Sequence, residues 1–227
     1  RQYVLEETYE LLQAMDQSDP AAMKEELGDL LFQVVFLAQM MQEKKRFSLL
    51  EVIRDLTAKM IGRHPHVFGS TKAASADQAL ASWESMKSRG VGTKKPKKSL
   101  LQGVPENLPA LHQAHLISAK VARAGFDWDS EEDVWKKFEE ELKEFHEAST
   151  RKRKEEEMGD LLFTMVNIAR KNKIHPEDAL RGTNARFIMR FEELERRVKA
   201  SNNRIKDVTA GDLDDIWEDI KRRKKKR

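Results

Sequence analysis

A six-residue block occurs twice in this chain: Leu27-Gly28-Asp29-Leu30-Leu31-Phe32 returns 131 residues later as Met158-Gly159-Asp160-Leu161-Leu162-Phe163. Trp83 and Trp217 keep nearly the same displacement, 134 residues. Such self-similarity at a fixed distance is most simply satisfied by a duplicated unit that brings its own core each time. Acidic runs recur with the blocks. Glu6-Glu7-Thr8-Tyr9-Glu10 precedes Glu25-Glu26-Leu27-Gly28-Asp29, and Glu140-Glu141-Leu142-Lys143-Glu144 precedes Glu156-Glu157-Met158-Gly159-Asp160.

The apolar spacing within each copy is helical, and strand signals are nearly absent. The first copy predicts helices over 4–15, 23–42, 49–63 and 76–89, the first broken by Ser18-Asp19-Pro20 and the third ended by His64-Pro65. The second predicts helices over 111–123, 130–149, 154–171, 176–200 and 213–222. Gly125 to Asp129 should form a turn, and Ser130-Glu131-Glu132-Asp133 a capped helix start. The expected architecture is all-α: a first helical domain over 1–89, a linker over 90–109 rich in glycine, proline and lysine, and a second helical domain over 110–227. With 36% charged residues and only 10 Gly and 6 Pro, the composition suits long solvated helices. The run from Leu30 to Met41 is so apolar that it belongs in a core or a subunit interface, which makes a homodimer the expected assembly.

Composition also removes function classes. Without cysteine there are no disulfides or thiolate metal sites, and a reducing cytoplasm is compatible. No stretch of about 18 apolar residues spans a membrane, and no secretory leader is visible. The net charge of +3 is concentrated in Lys87–Lys98 and in the tail Lys221–Arg227, whereas the acidic segments dominate elsewhere. That distribution reads as a solvated linker and tail, so nucleic acid is not an expected partner. Because the chain begins with Arg1, a further N-terminal segment is expected to precede it.

Glu7 and Glu10, like Glu26 and Asp29, are three residues apart and project from one helical face. Two such helices side by side gather four carboxylates, which must repel, protonate or hold cations. An isolated Glu-x-x-Glu is usually a solvated face, and one acid at a helix start is usually a favourable partner for the helix dipole. Neither accounts for four clustered acids, repeated, beside an apolar run. A carboxylate di-iron bundle requires Glu-x-x-His pairs, which these helices lack. Oxygen-only donors favour Mg²⁺, with Mn²⁺ as the alternative ion.

Cations follow at helical spacing. Lys59 and Arg63, and Arg186 and Arg190, lie four apart and could grip a polyphosphate opposite a carboxylate-bound metal. Trp83 with Lys87 and Trp217 with Lys221 repeat that spacing; each pair offers a ring and a cation, or a core aromatic beside a surface lysine. Asn184 is either a polar site residue or an exposed helix position. His64-Pro65-His66 reads as a helix-ending turn rather than as a metal site.

These motifs carry a resemblance. Glu-Glu-x-x-Glu followed by Glu-x-x-Asp within Glu-Leu-Gly-Asp-Leu-Leu-Phe resembles the MazG family of nucleoside triphosphate pyrophosphohydrolases, in the all-α nucleotide pyrophosphatase superfamily. Arg63-His64-Pro65-His66-Val67-Phe68, Gly125-Phe126-Asp127-Trp128 and Asn184-x-Arg-Phe-x-x-Arg-Phe, ending at Phe191, resemble its two-domain bacterial form, and together they cover essentially the whole chain. The resemblance implies Mg²⁺-dependent hydrolysis of NTPs and dNTPs to monophosphate and pyrophosphate, broad base tolerance and a homodimer. Carried over by motif, the metal ligands are Glu141, Glu144, Glu157 and Asp160 in the second unit and Glu7, Glu10, Glu26 and Asp29 in the first. It also implies that the second unit is the main seat of catalysis. Two departures stand out: the chain starts too late to show the family's Cys-Pro-Trp-Asp segment upstream of the first acidic helix, and arginine stands at position 186 where lysine is more usual.

The mechanism expected from this set is attack of an activated water on the α-phosphorus. Glu140 or Glu156 would accept its proton, while Arg186, Arg190 and Lys221 steady the leaving pyrophosphate. The rival readings are a narrower dUTP or phosphoribosyl-ATP pyrophosphatase, and a non-catalytic helical binding module acting through its basic linker and tail.

Overall fold

The computed structural model describes residues 1–68 and 99–225, which are helical with no strand among them. The helix expected over 76–89, with Trp83 and Lys87, the linker as far as 98, and the last two residues of the basic tail lie outside the described residues. The chain divides into two units, Arg1–Lys97 and Lys98–Arg227.

In the first unit, α1 (Gln2–Gln17) is followed after two residues by α2 (Pro20–Glu43). Ser18 adopts the left-handed conformation (φ 54°), its N–H donating to Met15 O at 3.0 Å and that of Asp19 to Ala14 O at 3.1 Å. This closes the C-terminus of α1 with the paired bonds that orphan carbonyls require. The Asp19 carboxylate then accepts from the Ala21 and Ala22 N–H groups at 2.9 and 3.2 Å, and Pro20 supplies a first helical residue that needs no N–H partner. The chain therefore reverses tightly, and α2 packs along α1. α3 (Leu49–Arg63) packs on α2 and starts from a Ser48–Glu51 capping box. It ends at His64, before the short helical turn α4 (Pro65–Phe68).

The second unit repeats the hairpin. α6 (Glu131–Glu147) is capped by Ser130, which accepts from the Asp133 N–H at 3.2 Å, and α7 (Arg151–Lys171) by Thr150, which accepts from the Arg153 N–H at 3.2 Å. α5 (Ala110–Arg123) packs on α7 and on α8 (Pro176–Ala200), and α9 (Ala210–Lys225) packs on α8 after a 3₁₀ turn at Ile205–Asp207. Residues ahead of α5 are tied to it: Gln113 donates to Pro105 O at 2.9 Å and Lys120 to Gln102 O at 3.3 Å. Val134, Val166, Asn167 and Ser118 are fully buried, each valine contributing about 1.5–3 kcal/mol. Leu194, Val198 and Ile220 form a further core cluster, with Trp217 and Ile216 packed against it.

Helix α5 ends at Gly125 (φ 91°), where the N–H of Phe126 donates to Val121 O at 3.0 Å. A side chain would strain this left-handed position. The turn delivers Asp127 to the end of α7. There Arg170 grips it with both terminal nitrogens, at 2.5 and 3.1 Å, and Lys171 lies at 3.1 Å. Hydrogen bonding by Arg170, outweighing the opposing effect of burial and reinforced by Lys171, lowers the Asp127 pKa to about 2.

Among the described residues the apolar run of α2 lies open rather than in a core: Leu31, Phe32 and Phe36 are 62%, 60% and 50% exposed. Leu162 and Met165 on α7 are exposed as well. The described helices packed on α2 are too few to cover both flanks of so apolar a helix.

Candidate metal centre

The acids of the repeat converge where each hairpin's helices lie side by side. In the second unit, Glu141 and Glu144 from α6 and Glu157 from α7 each bring one carboxylate oxygen within 4.8 Å of the other two. In the first, Glu7 from α1 and Glu26 and Asp29 from α2 do the same. The helical spacings make this possible, since Glu141/Glu144 and Glu26/Asp29 stand one turn apart on a single face. Glu10 lies close enough to Glu7 and Glu26 to raise their pKa values, but outside the three-oxygen group; Asp160, one turn beyond Glu157, is exposed and also outside it.

The two centres differ in burial and charge. Glu141 and Glu157 are buried, whereas Glu7 and Glu26 are half-buried and Asp29 is exposed. In the first unit desolvation raises the pKa of both Glu7 and Glu26. Asp29 and Glu10 add to the effect on Glu7, and Glu10, Glu25, Asp29 and Glu7 to that on Glu26. In the second unit cations lie directly on the acids: Lys137 Nζ is 2.7 Å from Glu141 and 2.8 Å from Glu140, and Arg153 is 3.1 Å from Glu157. Hydrogen bonds to Glu140 and then Glu141 raise the Lys137 pKa. Neither cation is among the residues expected from the sequence, although Lys137–Glu141 and Arg153–Glu157 carry the same four-residue spacing as Arg186 and Arg190.

The remaining candidates occupy other places. Glu140 and Glu156 are exposed, the latter 3.8 Å from Lys152. Arg186 is exposed and donates to Thr183 Oγ1 at 2.8 Å; the buried Nε of Arg190 has no hydrogen-bond partner among the described residues. Trp217 is partly buried, its ring 5.1 Å from that of Phe187, and Lys221 pairs with Glu218 at 2.6 Å. These residues form one group on α8 and α9. Among the described residues no hydrogen bond or ion pair joins it to the carboxylates of α6 and α7. Asn184 is exposed on the same helix. In the first unit Lys59 is half-buried and Arg63 is buried at the end of α3. A cleft of about 560 Å³ opens at the α6–α7 turn, lined by Phe145, Thr150, Arg151 and Met158 among others, but none of the clustered carboxylates lines it.

Oxygen donors that only accept, gathered from two helices and partly desolvated, suit a hard divalent cation. Comparison with known proteins places the chain in a family. Residues 1–68 match the family model described as the MazG nucleotide pyrophosphohydrolase domain, and residues 114–187 that of phosphoribosyl-ATP pyrophosphohydrolase. Over 219 residues the chain is 42% identical to the nucleoside triphosphate pyrophosphohydrolase/pyrophosphatase MazG of Thermotoga maritima, covering 96% of this chain and 84% of that protein. It is 40% identical over 225 residues to the nucleoside triphosphate pyrophosphohydrolase of Escherichia coli K12, covering 97% and 85%. The same identity over the same length is found with the uncharacterized protein YabN of Bacillus subtilis, but over 46% of that longer protein. Similarity at this level along nearly the whole chain, with the acidic helices in both halves, means that the chain belongs to the MazG family of nucleoside triphosphate pyrophosphohydrolases.

Proposed function

We propose that the protein is a Mg²⁺-dependent hydrolase of nucleoside and deoxynucleoside triphosphates, releasing the monophosphate and pyrophosphate with broad base tolerance, as a cytoplasmic activity that cleans or regulates the nucleotide pool. The observation that carries this reading is the convergence of Glu141, Glu144 and Glu157 in a chain of this family. Those three, with Asp160 alongside, would hold the metal in the second unit; Glu7, Glu26 and Asp29, with Glu10, would do so in the first. Mn²⁺ is the alternative ion. Bound there, the ion supplies positive charge against the phosphates and acidifies water.

The chain's own residues have separate tasks in this reading. Glu156, exposed and only loosely paired, and Glu140, shared with Lys137, are the acceptors for the proton of the attacking water. Arg190, with an unsatisfied buried nitrogen, and Arg186 and Lys221 bind phosphate charge as pyrophosphate departs. Trp217 packs on the α8–α9 core with its ring tilted beside that of Phe187, which suits it to orient a base without reading its edge. The uncovered faces of α2 and α7 support a homodimer.

A panel of ATP, GTP, dATP, dUTP and phosphoribosyl-ATP, assayed for pyrophosphate with Mg²⁺ and with EDTA, tests the proposal. Turnover of most of the panel, lost in EDTA, is expected. Turnover of phosphoribosyl-ATP alone would favour the narrower reading suggested by the match over 114–187.

A further inference from the structure

The two centres share their carboxylate geometry but not their surroundings, and on the reading of both as metal sites the difference has a consequence. In the second unit each buried carboxylate carries a cation placed four residues earlier on its own helix, Lys137 on Glu141 at 2.7 Å and Arg153 on Glu157 at 3.1 Å. Against Glu141, Glu144 and Glu157 these two cations leave a net charge of one negative. In the first unit the corresponding positions, four before Glu7 and Glu26, are Tyr3 and Ala22. Among the described residues no ion pair joins Glu7, Glu26 or Asp29 to a lysine or arginine. Within the described residues those three acids face one another without a resident cation.

We infer that Lys137 and Arg153 are resident counter-cations that compete with the divalent ion, so that the second unit takes up metal by exchange and holds it more weakly than the same carboxylates would alone. The ammonium and the guanidinium each hold one oxygen of a carboxylate that the ion needs, and a divalent ion arriving beside them meets their repulsion. Both can withdraw. Their side chains are 35% and 59% exposed, and Lys137 already bonds Glu140 at 2.8 Å, outside the three-carboxylate group, which gives it a partner on release. The pairs also keep Glu141 and Glu157 from being left as unpaired buried charges while no metal is bound. Among its described residues the first unit has neither the competition nor that safeguard.

Isothermal titration of the full chain with Mn²⁺ alone tests this. In a Glu26→Gln/Asp29→Asn background, which silences the first unit, Lys137→Met/Arg153→Met should lower the Mn²⁺ dissociation constant about tenfold, the discount from bare Coulomb attraction reflecting solvent screening. An unchanged or higher constant in a variant with wild-type helicity overturns the inference. The reverse graft does not depend on the second unit tolerating those changes. In a Glu141→Gln/Glu157→Gln background, Tyr3→Lys/Ala22→Arg places cations on the first unit and should raise its constant by a similar factor, and no change there also overturns it. Mn²⁺ binding that ignores the cations leaves the metal reading standing; a wild-type chain that takes up no Mn²⁺ overturns both.

Discussion

Asp127 and Arg170, 43 residues apart in sequence, are joined by two hydrogen bonds of 2.5 and 3.1 Å that fasten the turn after α5 to the last turn of α7. The turn carries the Gly-Phe-Asp-Trp motif, so that this motif is a clamp holding the helix on which Glu157 stands. Asp127→Asn should destabilise the second unit by about 1–2 kcal/mol at neutral pH, since it replaces a charge-assisted pair with a neutral one. Because the folded carboxyl titrates at about 2 and the free one at 3.8, this stabilisation is complete above roughly pH 4 and is lost as pH falls towards 2. Urea melts of wild type and Asp127→Asn should therefore converge in acid.

Two helices were legible at both ends from local chemistry. Pro176–Ala200 and Leu49–Arg63 match their expected spans, because a proline or a serine capping box starts each and polar or proline-bearing segments stop them. α7 begins three residues earlier than expected, at Arg151. Four consecutive cations at a helix start oppose the dipole, but Arg151, Lys152 and Arg153 each find an acid four residues on. α2 likewise starts at Pro20 rather than Met23, since Ser18-Asp19-Pro20 is both the end of one helix and the cap of the next. Which acids gather was half legible: spacing gave the helical face, but the distance between helices separates Glu144 from Asp160. The exposure of the α2 run and the Asp127–Arg170 clamp depend on neighbours remote in sequence, and periodicity carries no information about those.

Lys173 ends α7 in the left-handed conformation (φ 57°), with the Ile174 N–H donating to Ala169 O at 2.8 Å. Glycine adopts that conformation freely, so Lys173→Gly should stabilise the second unit by up to about 1 kcal/mol. Gly125→Ala should cost about 1 kcal/mol for the same reason in reverse. Thermal melts of both variants, which touch no site residue, provide the check.

The exposed aromatic face of α2 predicts a dimer. Light scattering of the wild type should report the mass of two chains, and Phe32→Glu should shift it towards one by placing a charge in an apolar contact. A wild-type monomer at working concentration would leave the exposed run without its proposed partner.

In metal-free buffer, like-charge crowding in the first unit should make Glu26→Gln neutral or stabilising. With saturating Mg²⁺ the order should invert, because wild type gains binding free energy that the variant lacks. Paired melts with EDTA and with Mg²⁺ read both signs.

The most direct test follows the products of ATP in the wild type, in Glu26→Ala/Asp29→Ala and in Glu157→Ala/Asp160→Ala. If the second unit's carboxylates hold the catalytic metal, the last variant should release AMP and pyrophosphate at least about 100-fold more slowly than wild type, the scale expected when an essential metal is lost. The first-unit variant should retain most of the rate. Wild-type release of AMP and pyrophosphate by Glu157→Ala/Asp160→Ala would contradict the account.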